Sequence, residues 1–333
     1  ARDTLKACQV TTLKFDSLVD YVDKNSYLVN QKSFQDSGWA LIDKSADSVL
    51  SKIRRKGTHL GEQFAIHYGI KTGLNDAFVI NIETREKLIS EDQKSADLIK
   101  PLATGRDIKR YGTVDLDKFI IVIPFGWTRT KSDNVPDEWK WFAKSYPAIA
   151  KHLAPFEEDA SQRYDKGEFW WELRACDYYS DFNVPKIIYP RISNKPSFTL
   201  DDKGCFLPDT GFFITSSSKY LLGVLNSKLM RFVSMYTCST LIGGYYEFRS
   251  QYVEQFPIAP APSDIRARIE NLVTSMLKVE QKLSTIGSKL TDERARLEDE
   301  VRKIDAEIDE LVYKLYGITE EEKKIIEECI SEK

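Results

Sequence analysis

The chain of 333 residues is 42% apolar and 12% aromatic, enough to build about two packed domains and too rich in core-forming side chains for a disordered tail. Its 48 basic and 51 acidic side chains leave a net charge of -3, which excludes a global positive field: a polyanionic partner would have to be met by a local patch. Cys8, Cys176, Cys205, Cys238 and Cys329 are scattered and never form a CxxC pair, which speaks against a disulfide framework or a zinc site and fits reduced thiols in a cytoplasmic protein. No apolar run approaches the roughly 18 residues that a membrane-spanning helix needs, and no signal peptide is recognisable.

Residues 1–56 begin at Ala1 in a polar stretch, as an excised fragment would. They read as a connector ending in a short helix over 45–56, with Val49, Leu50 and Ile53 on one face between a Ser45 cap and Gly57. From 57 to 262 the runs FAIHYGI, AFVINI, FIIVIP, KIIYPRI and GFFIT have strand length and composition, with helical stretches between them. The clearest helices are PDEWKWFAKSYPAIAKHL, opened by Pro136 and interrupted by Pro147, and a continuous helix over 218–236. The fold class is α+β: a mixed strand-and-helix domain over 57–262, closed by the proline cluster FPIAPAP.

Beyond it, Ile265, Ile269, Leu272, Met276, Val279, Leu283, Ile286 and Leu290 alternate by fours and threes, as do Leu297, Val301, Ile304, Ile308, Leu311 and Leu315. Gly287 and Thr291-Asp292-Glu293 break the pattern, so residues 263–333 read as a coiled-coil hairpin and tail, with one continuous helix as the alternative. This segment holds 13 basic and 18 acidic side chains, leaving 35 and 33 upstream, so the acidity lies in the hairpin and tail.

Basic residues of the central domain gather where loops are expected: Lys71 with Thr72 and Asn75; Arg106 with Lys109 and Arg110; Arg129 with Lys131; Arg191 with Asn194 and Lys195. Arginine and lysine pair with guanine, asparagine with adenine, and lysine and threonine hold phosphates. Tyr245, Tyr246 and Arg249 follow Gly243-Gly244, where glycine permits a tight turn or close approach to a ligand. For any one group a solvated loop or a packed aromatic explains the residues as well. Trp170 and Trp171 fit either a core or a stacking surface.

Lys71-Thr72-Gly73, Ser132-Asp133-Asn134 and Ser216-Ser217-Ser218-Lys219 match the three short motifs of serine acyl-transferases of beta-lactamase type, but in reversed order, which leaves that activity a distant alternative. Walker, GxGxxG, HExxH and GxSxG motifs are missing, as is the Pro-Pro loop that an amino-methyltransferase uses to hold its target nitrogen. His59, His67 and His152 are far apart. No catalytic, cofactor-binding or metal-ligating residue is assigned.

Taken in order, GIKTGLNDAFVI (69–80), LIKPLATGRDIKRY (98–111), WWELRACDYY (170–179) with PKIIYPRI (185–192), YLLGVLNSKL (220–229) and GGYYEFRSQYVEQFPIAP (243–260) resemble the TaqI-like C-terminal specificity domain. That family supplies the target recognition domain of adenine-specific DNA methyltransferases and fused type IIG restriction-modification enzymes. The tail 308–328 is similar to the end of those proteins, and 16–44 to the connector that follows their methyltransferase core. The resemblance implies a sequence-specific reader of double-stranded DNA that is not itself an enzyme. Its S-adenosylmethionine site and catalytic loop would lie in an upstream methyltransferase domain, its partner, and a nuclease in the parent stays open. A protein-interaction adaptor, with self-association through the C-terminal helices, is the alternative, favoured by the acidic balance.

Overall fold

The structure, a computed structural model, describes residues 3–8, 10, 14–31, 42–114, 116–288 and 290–331; of the connector-like stretch, 32–41 lie outside these. The chain packs as two units: a helical one from Ala1–Phe64, Ser193–Pro196 and Ser218–Lys333, and a strand-rich one from Ala65–Ile192 and Ser197–Ser217. Residues 57–262 thus contribute to both. Among the described residues no helix is long and apolar enough to cross a membrane.

In the strand-rich unit, β1 (Ile66–Tyr68), β2 (Val79–Asn81), β3 (Ile99–Pro101), β4 (Lys118–Ile121), β5 (Lys186–Pro190), β6 (Thr199–Asp201) and β7 (Gly211–Ile214) form two antiparallel sheets, ordered β6-β5-β7-β1 and β2-β4-β3. They fall on the apolar runs because β-branched and aromatic side chains of strand length bury well on a pleated surface. Every residue of β5 and β7 is buried. Ile80, Ile99, Ile120, Phe182, Phe206 and Phe213 belong to one core. The 136–153 stretch forms two helices, Glu138–Ser145 and Pro147–Leu153; Asp137 caps the first and Pro147 opens the second.

That core also encloses an ion pair. Lys186 and Asp201 are cross-strand partners on β5 and β6, both essentially buried, with Nζ 2.5 Å from Oδ2. Lys186 Nζ also donates to the Phe182 carbonyl at 2.6 Å, and the Asp201 carboxylate accepts from the amides of Lys203 and Cys205. Two of the three ammonium N–H groups and both carboxylate oxygens are thereby engaged, and such partners are what let a buried charge pair be tolerated.

The helical unit contains α1 (Lys44–Lys56), α2 (Lys219–Leu225), α3 (Lys228–Thr237), α4 (Ser263–Ile286), α5 (Asp292–Tyr316) and α6 (Glu320–Ser331). Helix α1 buries Val49, Leu50 and Ile53 as expected, but its cap is Asp43, which accepts from the amides of Ser45 and Ala46. The continuous helix expected over 218–236 is two helices. Ser227 caps α3 by accepting from Met230 N, and the buried carboxylate of Asp309 on α5 accepts from Lys228 N at 2.8 Å.

The C-terminal helices form the expected hairpin rather than one continuous helix. Gly287, with φ 68°, ends α4, and the Thr291 side chain accepts from Arg294 N to start α5. On α4 the buried residues are Ile265, Ile269, Val273, Met276 and Val279, so Val273 takes the inward place expected of its half-buried neighbour Leu272. The cause lies on α2: a Cβ on Gly223 would sit 2.7 Å from Ile269 Cγ2 and 3.0 Å from Val273 Cγ2, so the bare glycine lets the two helices close. Each aliphatic side chain buried there contributes about 1.5–3 kcal/mol relative to exposure. Two buried tyrosines tie down the proline segment: Tyr316 Oη donates to the Pro257 carbonyl and accepts from Ala259 N, while Tyr220 Oη donates to the Ala259 carbonyl.

Replacing Lys186 by methionine leaves the Asp201 carboxylate buried without its cation. The expected cost is about 3–5 kcal/mol, read as a fall in the urea midpoint of the strand-rich unit.

Candidate nucleic-acid interface

The loops of the strand-rich unit are tied at their flanks, and their cations stand between the ties. In the 69–75 loop, Gly69 N donates to the Gly211 carbonyl and Ile70 N to the Leu207 carbonyl. Gly69 is required by contact: a Cβ would lie 1.9 Å from the Pro208 carbonyl oxygen. Thr72 is buried, donating its hydroxyl to Asn75 Oδ1 at 2.6 Å and accepting from Leu74 N at 3.2 Å. Lys71, between buried Ile70 and Thr72, is exposed.

The 103–112 loop follows the same plan. Ala103 N donates to the Phe206 carbonyl, Gly105 N to Thr210 Oγ1, and Tyr111 N to the Phe198 carbonyl. Asp107 closes the turn by accepting from the amide and hydroxyl of Thr104 at 2.8 and 2.6 Å. Ile108 points inward, while Arg106 and Lys109 are exposed; the half-buried Arg110 lays its guanidinium over the Tyr111 ring. Arg191 N donates to the Thr210 carbonyl. Residues 206–211 therefore hold the 69–75 loop, the 103–112 loop and Arg191.

A second centre is fully internal. Arg163, 7% exposed, donates to the carbonyls of Ala160, Thr72, Trp170 and Glu172 and lies 4.4 Å over the Phe78 ring. Burial pulls its pKa down to about 10, against the favourable pull of Asp165, so it keeps its charge at neutral pH. The carboxylate of Glu172, itself buried, accepts from Gly126 N, Thr128 N and Glu168 N at 2.9–3.1 Å, and so caps the helix Trp127–Ser132 that carries Arg129 and Lys131. The adjacent Trp171 is buried and donates Nε1–H to Thr128 Oγ1, whereas Trp170 is half-buried. Through Arg163 and Glu172, the segments bearing Lys71, Asn75, Arg129 and Lys131 share one support.

Two kinds of cation stand on these segments. Lys71, Arg106, Lys109 and Lys131 make no side-chain hydrogen bond or ion pair with a described residue. Arg129 is bridged to Glu168, and Arg174, with both terminal nitrogens engaged, to Asp165 and the Tyr68 hydroxyl.

The remaining expected residues belong to the helical unit. Asn194 and Lys195 are exposed. Strands Ser239–Leu241 and Tyr245–Glu247 form a hairpin whose turn contains Gly243 and Gly244, with φ 82° and 76°, so these glycines serve the turn. Tyr245 is 47% exposed, but Tyr246 is buried and packs inside; Arg249 pairs with Glu247 at 2.9 Å.

Residues 100–258 match the family model of the TaqI-like C-terminal specificity domain. They belong to that family. The specificity domain takes in β4 to β7 of one unit and the 239–247 hairpin of the other. A solved structure of the type IIL restriction-modification enzyme MmeI, in complex with DNA, is similar at a TM-score of 0.57 and 13% identity, over 82% of this chain and 36% of that one, which shows a shared fold. The type IIG restriction endonuclease BpuSI gives a TM-score of 0.44 at 9% identity, over 88% and 36%. The chain thus spans about a third of the length of either.

Arg163, Glu172 and Thr210 escape sequence reasoning, since a lone charged or hydroxyl residue reads as surface until its distant backbone partners are known. Arg163→Met removes a donor from four inward carbonyls, of which those of Ala160 and Glu172 keep a backbone amide, and is expected to cost about 3 kcal/mol. Protease should then cut near 71–75 before the rest of the unit unfolds, whereas uncut loops at an unchanged urea midpoint would contradict this role.

Proposed function

We propose that this chain is the sequence-specific double-stranded DNA recognition module of a restriction-modification adenine methyltransferase. The observation that carries the reading is a group of exposed cations without a side-chain partner among the described residues, Lys71, Arg106, Lys109 and Lys131, raised on tied loops and a capped helix of the unit that supplies most of the specificity domain. Fixed backbones with unneutralised side chains suit a phosphate backbone: little order is lost on binding and each contact releases counterions. The chemistry belongs to the parent. Its upstream domain would bind S-adenosylmethionine and extrude the target adenine, while this chain sets register and site.

Selection of the chain against randomised duplex DNA at low salt, followed by sequencing of the bound fraction, tests the reading; an enriched motif is expected, and its absence favours the adaptor. Arg106→Ala and Lys109→Ala should each weaken binding to all sequences alike and make the slope of log affinity against log salt shallower by about one.

A further inference from the structure

We infer that Arg129 reads a guanine and that Glu168 is the positioning residue that fits it to do so. This rests on the DNA-reading function proposed above and adds a base and a residue pair to it.

The geometry is fixed from the backbone outward. Arg129 lies on the short helix Trp127–Ser132, whose first amides are held by Glu172. Its side chain is held twice more. Nε lies 2.6 Å from Glu168 Oε2, and the guanidinium sits 5.5 Å over the ring of Phe169. Both supports are anchored in turn: Glu168 N donates to the Glu172 carboxylate at 3.0 Å, and Phe169 stacks on the buried Trp171 at 4.7 Å and 6°. A long, rotamer-rich side chain is thereby restricted before any ligand arrives.

Nε is the guanidinium atom nearest the carboxylate, the side chain is 53% exposed, and neither terminal nitrogen makes a hydrogen bond with a described residue. Those two nitrogens form the fork that pairs with O6 and N7 of guanine in the major groove. Arg174 is built differently, since Asp165 and the Tyr68 hydroxyl occupy both its terminal nitrogens. Charge points the same way. Glu168 largely cancels the cation, which makes Arg129 a poor phosphate contact beside Lys71 or Arg106, while its directional donors are retained. Stability does not account for the arrangement, because an exposed pair of this kind contributes little to folding.

The test uses the full 333-residue chain, selection from randomised duplex DNA, and titrations over a range of salt. In Arg129→Ala, one position of the enriched site should lose about tenfold of its preference for guanine, with the other positions and the salt slope unchanged. Glu168→Gln keeps the arginine but removes its guide; it should weaken the same guanine preference and steepen the salt slope by about one, since a charge is released. A merely structural pair would change neither. Arg129→Gln, with circular dichroism of each variant, separates loss of reading from loss of fold. A motif that survives Arg129→Ala intact, or a uniform loss with a shallower slope, overturns the guanine assignment and leaves the DNA-reading function standing. A wild-type chain that enriches no motif overturns both.

Discussion

The strand-rich unit depends on one buried cation. Arg163 supplies donors to backbone carbonyls at residues 72, 160, 170 and 172, segments that no strand pairing joins, and packs its flat face on Phe78. Inward carbonyls without donors are costly, and so is a lone buried charge; here each relieves the other. A lysine would not substitute, because its compact ammonium cannot spread planar donors over so many acceptors. The neighbouring carboxylate of Glu172 collects amides where the guanidinium collects carbonyls. Side by side, the two residues terminate backbone that would otherwise need secondary structure or water.

What was legible in the sequence were local signals. Strand-length apolar runs became strands, Pro147 divided its helix, and Gly287 with Thr291 announced the turn of the C-terminal hairpin. What stayed hidden depends on distant partners. The apolar spacing runs unbroken through Asn226-Ser227, and the break there is completed by Asp309, far along the chain. Leu272 satisfies the heptad as well as Val273 does; only the missing side chain of Gly223 decides which turns inward.

The expected contact residues show the same limit. Lys71, Arg106 and Lys109 stand outside on loops, and Lys131 does so on a helix where a loop was expected, whereas Thr72 and Tyr246, equally polar or amphipathic on paper, are folded in. Thr72 shapes the loop that presents Lys71, so it lies beside the place expected of it with a different task. Arg129 has its own carboxylate, and the identity of that partner becomes visible only when Glu168 is brought round by Glu172.

The stretch from Phe206 to Gly211 acts on several loops at once, because its carbonyls and the Thr210 hydroxyl receive amides from Gly69, Ile70, Ala103, Gly105 and Arg191. Divergence of a lineage would therefore run at two tempos. Side chains at the loop crests can be exchanged singly, since none of them holds the frame. A change in the common post shifts every crest together. Such a layout lets the exposed surface drift by small steps while the spacing of its loops is kept.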